Sequence, residues 1–581
     1  MTASSSARDR TLPFAPSLGA FGDFLVVARD SSAVRERMTA WGFARYATPQ
    51  AVLYLLGLPA FDGRPLLSGM IRANQLEIGP KALSTVPDPI VGQAAVIESN
   101  DQEVTIRSDF LGLLPLFADD LGVSNRLHIL AEIRKARNLY SVDVASASSS
   151  FFSENAFSWQ LGVYRTPVGG VRLLGAGARV VFFGGAFSVS TQHEPVEALS
   201  PSEYHTLIDK GAEEVTANVA AALDTGRIVE CAITGGRDSR VNLAALVALG
   251  RAHEVSFVTS PRGRDVEIAT GLVKIFGGNY LRPPRPVGFR TITLEEQLDR
   301  RRSLYYGLYH HAKWALFRQV TAVYDERRIQ LVGGCGECYR PFYQKNCFRP
   351  EVTSLEYSPD VLRTLLGTHG YWRRIFPESH LEAIYPAYEE TFLDLRGETV
   401  SDKLDSLYLE FRNRFHFGMT MTAANSVDMW NPMASPSLLR ASRGLPVEVR
   451  ASGRVLFDVT RALCEKLAYL PYENERPDFS QVPYHRPSRF DHETLTLEPA
   501  PELIPIPQPS GVARPAFRQK DPITLMRASI SPNLDAVSNG PLARLVTPEM
   551  RSRMEWLEAG KASAPTMEAA FSRWDALANV F

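Results

Sequence analysis

Hydrophobic positions change their rhythm once along this chain, near residue 200. Between Phe21 and about Gln192, short runs of β-branched and aromatic residues are punctuated by Gly, Pro and Asp, which is the pattern of strands joined by tight connections. Strands are expected at 24–27, 91–97, 103–108, 127–130, 170–174 and 178–183. After Pro201 long amphipathic segments take over, beginning with 203–222, and short apolar runs at 228–233, 254–258 and 329–332 interrupt them. Short buried strands alternating with helices predict a parallel sheet covered on both faces. A Pro-rich tract from Pro499 to Pro515 leads into a helical tail over 523–581, and no internal repeat is found. The expected organisation is therefore a flexible segment over 1–20, a sheet-dominated domain over 21–195, an α/β domain over 196–490 and a Pro-rich linker with helical tail over 491–581.

Composition narrows the class of partner. With 581 residues, 45% hydrophobic and 22% charged, the chain is globular and long enough for several domains. The 63 basic and 64 acidic side chains leave a net charge of −1, so the basic excess that phosphate neutralisation requires is missing and no nucleic-acid partner is expected. The N-terminal stretch carries Arg8, Asp9 and Arg10 without a following apolar run, so it does not read as a secretory signal. The longest apolar run, 51–61, is broken by Gly57 and Pro59 and falls short of the ~20 residues that span a bilayer, so no membrane partner is expected either. Five cysteines are no disulfide framework, and a cytoplasmic location is expected. Cys335 and Cys338 form a CxxC, with Cys347 nearby, but no second pair completes a zinc set. His310 and His311, in a helical stretch over 303–318, point about 100° apart and read as structural or substrate-facing.

The strongest chemical signal lies at 228–240, where a buried run ends in Thr234, Gly235, Gly236, Arg237, Asp238, Ser239 and Arg240. Strand, glycine turn and helix follow one another directly. Gly235 and Gly236 remove Cβ atoms that would keep an anion from the backbone N–H groups, and a helix over 239–249 presents its positive end to that anion. Asp238 is a hard oxygen ligand for Mg²⁺, while Thr234 and Ser239 offer hydroxyl donors. The spacing matches neither a P-loop nor a dinucleotide fingerprint. Alone, such a turn fits a tight structural bend equally well.

This segment resembles the Ser-Gly-Gly-x-Asp-Ser pyrophosphate loop of the asparagine synthetase family and its ATP-pyrophosphatase relatives. Further pieces carry the resemblance in the same order: 104–117, with Arg107, Asp109, Gly112, Pro115 and Phe117; 127–133 and 169–179 in the first domain; 331–340 as a second nucleotide loop; and 425–433, which is similar to the segment before the substrate site. Together they cover roughly residues 20–480. The resemblance implies an N-terminal-nucleophile-type α/β/β/α sandwich followed by an ATP-pyrophosphatase-type synthetase domain with a parallel sheet. It also implies ATP and Mg²⁺ as cofactors and an ATP-dependent carbon–nitrogen ligase that adenylates a carboxylate and lets an amine displace AMP. Under it, Asp238 and Glu337 hold the metal. Thr234, Gly235, Gly236, Arg237 and Ser239 line the pyrophosphate, Val258 packs on adenine, and Gly333 and Gly334 let the backbone approach the nucleotide at the strand C-termini. Partners are then a small-molecule or peptide carboxylate and an amine substrate.

Departures from the family pattern narrow the reading. Glutamine-dependent members carry a terminal cysteine at the start of the first strand, whereas the second residue here is Thr2 and the first strand is expected near Phe21, so glutamine hydrolysis is not expected. β-Lactam synthetases and lasso-peptide cyclases differ from asparagine synthetases in this way, and use an amine already on the substrate. The family's late lysine is missing, and Arg476 is the nearest cation at the matching place, 470–479. Arg237 and Arg240 are open to two roles, as phosphate clamps or as paired surface residues. Cys335 stands where the family often has an acid. Asp428 stands where it often has Glu, as support for an amine base or as a helix-surface carboxylate. The catalytic set is Asp238, Glu337, Arg476 and Asp428. Two other readings stay open: a glutamine- or ammonia-dependent amidotransferase, and an inactive nucleotide-binding homologue. The tail can cover the pocket or mediate a homodimer.

Overall fold

The computed structural model describes residues 23–56, 60–61, 64–65, 68–71, 91–99, 102–149, 160–191, 197–259, 264–280, 289–291, 308, 320–322, 327–343, 354–368, 378–418 and 427–473, with isolated positions at 484, 497, 539, 548 and 551–552. Arg476, most of 303–318, the Pro-rich tract and nearly all of the tail lie outside the described residues.

The first half builds two antiparallel sheets. Their strands are β1 (Asp23–Val27), β2 (Ala44–Ala47), β3 (Val52–Leu56), β4 (Ser68–Ile71), β5 (Gly92–Ser99), β6 (Val104–Ser108), β7 (Phe117–Ala118), β8 (Gly122–Ser124), β9 (Arg172–Leu173), β10 (Ala178–Phe183) and β11 (Ala186–Thr191). One sheet has six strands in the order β9-β7-β8-β1-β3-β2, and the other has five in the order β11-β10-β6-β5-β4. Alternation along the strands decides how they pack. Phe24, Val26, Leu53 and Leu55 of the first sheet share one buried cluster with Ile97, Val104, Ile106, Val180 and Phe182 of the second. The other face of the first sheet, with Leu25, Val27 and Tyr54, joins a cluster containing Val34 and Met38 of α1 (Ser32–Ala40) and Leu127, Leu130 and Ile133 of α2 (Leu127–Ala136). The strand expected at 127–130 is thus the first turn of a helix. Four apolar-rich residues do not separate the two periods, and the helix is buried nearly all round, with His128, Ile129 and Ile133 inside as well as Leu127, Leu130, Ala131 and Arg134, so it presents no clear one-sided stripe.

The second half holds a parallel sheet of five strands in the order β14-β13-β12-β15-β16: β12 (Ile228–Ala232), β13 (Ser256–Val258), β14 (Asn279–Tyr280), β15 (Arg328–Leu331) and β16 (Asp428–Trp430). Around it pack α3 (Pro201–Leu223), α4 (Asp238–Ala248), α5 (Arg264–Ile275) and α6 (Arg454–Leu463), sharing one apolar core with the strands. A capping box starts α3: the Ser200 hydroxyl accepts from the Glu203 amide, and the Glu203 carboxylate accepts from the Ser200 amide. Among the described residues, no helix is long and apolar enough to cross a membrane.

The two halves meet on the helix that begins at Val400 and widens into a π turn over Tyr408–Asn413. Arg414, just beyond it, is buried and donates to the carbonyls of Gly112 (2.9 Å) and Leu174 (2.7 Å), while Glu410 accepts the Ala176 amide at 2.9 Å. Gly112 has φ +62°, and an added Cβ would lie 2.5 Å from the Arg414 Nε, so a glycine lets the guanidinium reach its carbonyl.

Asp109 fixes the turn that ends in this contact. Its Oδ1 accepts the Leu111 (3.2 Å) and Leu113 (2.9 Å) amides and its Oδ2 the Leu114 amide (3.0 Å). Burial pushes its carboxyl up to about 7, against those N–H groups and the Arg414 charge, which pull it down. Above the unfolded value of 3.8 the folded chain keeps a proton that the unfolded chain has lost, so this group's contribution to stability falls as pH rises through that window and levels off above about 7. Asp109→Asn turns an NH₂ group toward backbone donors and is expected to cost about 1–3 kcal/mol in urea unfolding, most at pH 4 and least at pH 7. A cost that does not change between those pH values would mean that Asp109 does not titrate there.

Candidate functional site

The C-terminal ends of the parallel strands gather the chemistry. β12 leads through Ile233 and Thr234 into the two glycines and then directly into α4, whose first turn carries Asp238. The Ile233 amide donates to the Val258 carbonyl at 2.9 Å, which keeps the exit of β12 parallel to that of β13. Thr234 and Ser239 close the turn on themselves. The Ser239 hydroxyl lies 3.0 Å from both the Thr234 amide and the Thr234 hydroxyl, and the Thr234 hydroxyl accepts the Gly236 amide at 3.2 Å. Gly235 is pinned from two sides: its amide donates to Asp265 Oδ1 at 2.6 Å, and its carbonyl accepts from the Glu473 amide at 3.0 Å. A Cβ there would meet Asp265 at 3.0 Å and Glu473 at 3.1 Å.

A second loop, 332–336, crosses the head of α4. Gly333 lets it lie against the first helical turn, since an added Cβ would sit 3.1 Å from the Ser239 amide nitrogen and 3.2 Å from Asp238 Cβ. Gly334 faces Asn431, whose Oδ1 an added Cβ would reach at 2.0 Å. Cys335 then takes φ +68°, and the short helix Gly336–Tyr339 carries Glu337 toward Asp238. The result is a compact group of charges. Arg340 Nη2 lies 3.1 Å from Asp238 Oδ2 and 3.6 Å from Glu337 Oε1. The Tyr408 hydroxyl donates to Glu337 Oε2 at 2.6 Å from inside an aromatic cluster with Phe342 and Tyr343. Burial raises the Asp238 carboxyl above its ordinary range; Arg340 lowers it, Glu337 raises it further and Arg237 lowers it. Burial and then the Glu337 charge hold the Tyr408 phenol well above its ordinary value, so it stays a donor.

Several expected site residues therefore converge: Thr234, Gly235, Gly236, Arg237, Asp238 and Ser239 from the first loop, Val258 from the neighbouring strand end, and Gly333, Gly334 and Glu337 from the second loop. Asp428 does not join them. It opens β16 beside Ile329, at the strand starts, and pairs with Arg227 at 2.6 Å. The two arginines that flank Asp238 also have other partners. Arg237 donates to the Ser452 carbonyl at 2.5 Å. Arg240 is fully buried: it donates to the carbonyls of Leu467 (3.1 Å), Leu470 (2.8 Å) and Pro471 (2.5 Å), and its guanidinium stacks on Tyr472 at 3.6 Å. It is a clip for the 467–472 segment, neither a phosphate clamp nor a surface ion pair.

Sequence reasoning missed Arg340, Tyr408, Asp265 and Gly336. Arg340 had a signal, three residues after Glu337 on a helical turn. Tyr408 and Asp265 reach the site through tertiary contacts that no local pattern encodes. A cavity of about 20 Å³, room for about one water, lies apart from the loops, lined by Tyr164, Asp394, Arg396, Asp402, Glu410 and Arg443 at the junction of the two halves.

Donor types decide whether Mg²⁺ and a phosphate chain suit these residues. Asp238 Oδ1 is buried without a hydrogen-bond partner, and an added Cβ at Gly336 would lie 2.2 Å from it, so the second loop leaves that oxygen room only because residue 336 is a glycine. An unpaired buried carboxylate oxygen costs free energy unless a cation or donor meets it, and a hard cation fits. No cluster of three His, Cys, Asp or Glu side chains suited to a metal occurs among the described residues, so a cation at this corner would meet two carboxylates at most. The chain matches no protein-family model and no curated protein.

Arg240→Lys retains the charge but loses the planar fork and the stacking. With two carbonyl contacts to a charged donor gone, thermal or urea unfolding is expected to register a loss of about 2–4 kcal/mol. A loss under about 0.5 kcal/mol, the range of an ordinary surface change, would contradict the clip.

Proposed function

We propose that this protein is an ATP-dependent carbon–nitrogen ligase that adenylates a substrate carboxylate and lets an amine, carried by the substrate itself, displace AMP. The observation that carries this reading is the buried, unpartnered Oδ1 of Asp238 at the head of α4, against Gly336 of the second loop, whose neighbour Glu337 shares Arg340 with Asp238 at the C-terminal ends of a parallel sheet. Ligands of open α/β sheets bind at those ends. Two face-to-face antiparallel sheets followed by the parallel sheet fit an N-terminal-nucleophile-type α/β/β/α sandwich joined to an ATP-pyrophosphatase-type synthetase domain.

In this reading Asp238 and Glu337 hold Mg²⁺, which supplies Lewis-acid stabilisation of the phosphate oxygens. The loop of Thr234, Gly235, Gly236, Arg237 and Ser239 holds the β- and γ-phosphates by hydroxyl, amide and guanidinium donors. Negative charge grows there as pyrophosphate leaves, so donors fixed beforehand lower the barrier more than donors that must reorganise. Val258 and the backbone at Gly333 and Gly334 bound the adenosine side. Arg476 is the further cation for the acyl-adenylate. Asp428, paired with Arg227 at the opposite end of the strands, takes no part. An amine supplied by the substrate is supported by the start of β1: Asp23 and Phe24 stand there, Phe24 donating its amide to Asn125, and neither is the cysteine that glutamine hydrolysis requires in the family.

One observation favours a second reading, a nucleotide-binding homologue without turnover. The Gly235 and Gly236 amides already have partners in Asp265 and Thr234, so an anion reaches them only by displacing these.

Exchange of labelled pyrophosphate into ATP, run with pools of carboxylates that also carry an amine, separates the two. The ligase reading expects carboxylate-dependent exchange that falls at least about hundredfold in Asp238→Ala, with no glutamate released from glutamine. Nucleotide binding without exchange in any pool favours the second reading, and glutamate release would restore glutamine as the amine source.

A further inference from the structure

We infer that Arg340 is an exchangeable counter-ion: a divalent cation that reaches Asp238 and Glu337 must displace its guanidinium, which then serves as a phosphate donor in the same site. This deepens the ligase reading and rests on it, because the cation and the phosphate are those the reading assigns to these loops.

Geometry singles out this arginine. Arg240 spends its guanidinium on the carbonyls of Leu467, Leu470 and Pro471, and Arg237 places one nitrogen, Nη1, on the Ser452 carbonyl, away from the carboxylates. Arg340 instead approaches the two proposed metal-binding carboxylates, and with the same nitrogen, Nη2, at 3.1 Å from Asp238 and 3.6 Å from Glu337. A guanidinium carries five N–H donors in a planar fork, so one nitrogen on the carboxylates leaves most of its capacity for bidentate contact with phosphate. Its side chain is about a third exposed (32%), so it has room to turn. The backbone has none: the neighbouring Tyr339 is buried, its hydroxyl donating to the Met433 carbonyl and accepting from the Ser435 amide. Movement is confined to the Arg340 side chain, which pivots about a fixed point between carboxylate and phosphate positions.

Electrostatics gives the exchange its direction. Two carboxylates in a desolvated corner repel, and one shared guanidinium offsets them only in part, since the Asp238 Oδ1 remains without a partner. A divalent ion neutralises both acids with two charges where the arginine brings one. Released beside the phosphates, the guanidinium then finds opposite charge again. The predicted signature is a pair of opposite effects, which a residue that only shapes the loop cannot produce.

Titration calorimetry of the full chain tests it with two probes, Mn²⁺ alone and inorganic pyrophosphate at saturating Mn²⁺. In Arg340→Gln, Mn²⁺ alone is expected to bind about two- to fivefold more tightly, because a competing partly exposed ion pair is gone, while pyrophosphate binds about tenfold more weakly. Arg340→Lys keeps the charge near its native place, so its Mn²⁺ affinity stays within about twofold of the unmodified chain while pyrophosphate still binds more weakly. Parallel weakening of both probes in both variants, or no change in either, overturns the inference and leaves the ligase reading standing. If the unmodified chain takes up neither Mn²⁺ nor pyrophosphate, the ligase reading falls and this inference falls with it.

Discussion

Two carboxylates cannot share a desolvated corner without compensation, and the second half of this protein is arranged around that constraint. At an effective dielectric near 20, unit charges about 4 Å apart interact by about 4 kcal/mol, a large share of the about 5–15 kcal/mol by which a domain is stable. Solvent reaching part of the Asp238 side chain reduces this, yet burial still raises its carboxyl above the ordinary range. The compensation comes from different distances along the chain. Arg340 is two residues beyond the Gly336–Cys338 stretch it serves, Tyr408 comes from the π turn, and the N-terminal end of α4 adds its dipole. Glycine at 333 and 336 is what lets these charges come together, since a side chain at either position would occupy the space of Asp238.

The π turn ties this corner to the antiparallel sheets. An α-helix turns 100° per residue, so residues 408, 410 and 414 of a regular helix point in fixed relative directions. Here the wider turn over Tyr408–Asn413 resets that phase. Tyr408 reaches Glu337, Glu410 accepts the Ala176 amide, and Arg414 enters the carbonyls of Gly112 and Leu174. One short segment thereby fixes both an acid of the candidate site and the ends of two connections in the sheet half. A change that restores regular helix here would break contacts on both sides at once.

How much of this was legible in the sequence differs by level. About half of the strands were readable, because alternating or continuous apolar runs bounded by Gly and Pro report burial directly: β10 was located end to end and β1, β5, β6, β9, β12, β13 and β15 to within two residues, while β2, β3, β4, β7, β8, β11, β14 and β16 were not anticipated. The 127–130 run was misread because four residues, barely more than one helical turn, cannot separate a period of 2 from one of 3.6. The glycine loop and its acid were readable, because a strand, two glycines and a helix leave little freedom. What the arginines do was not. Arg237, Arg240 and Arg340 carry the same charge within reach of the same acid, and only tertiary contacts assign one to a serine carbonyl, one to a buried clip and one to the carboxylates. Asp428 failed for the related reason that a strand has two ends, and sequence does not say which residue stands at the binding end.

The buried Arg240 decides how the first loop is shaped from the C-terminal side. Its three carbonyl contacts hold the 467–471 segment against α4, and from there the chain returns so that the Glu473 amide meets the Gly235 carbonyl at 3.0 Å. The loop is consequently closed by a path that runs from the first helical turn of α4, through a stacked tyrosine, back to the glycine before it. With Asp265 on the Gly235 amide and Glu473 on its carbonyl, this peptide has both polar groups satisfied before any ligand is considered. A buried amide is not released without cost. An anion entering the loop must therefore offer Gly235 at least as good an acceptor as a carboxylate. Phosphate oxygens meet that condition and neutral carbonyl groups do not. The contacts that already satisfy the loop thus set the cost that an anionic guest would have to offset.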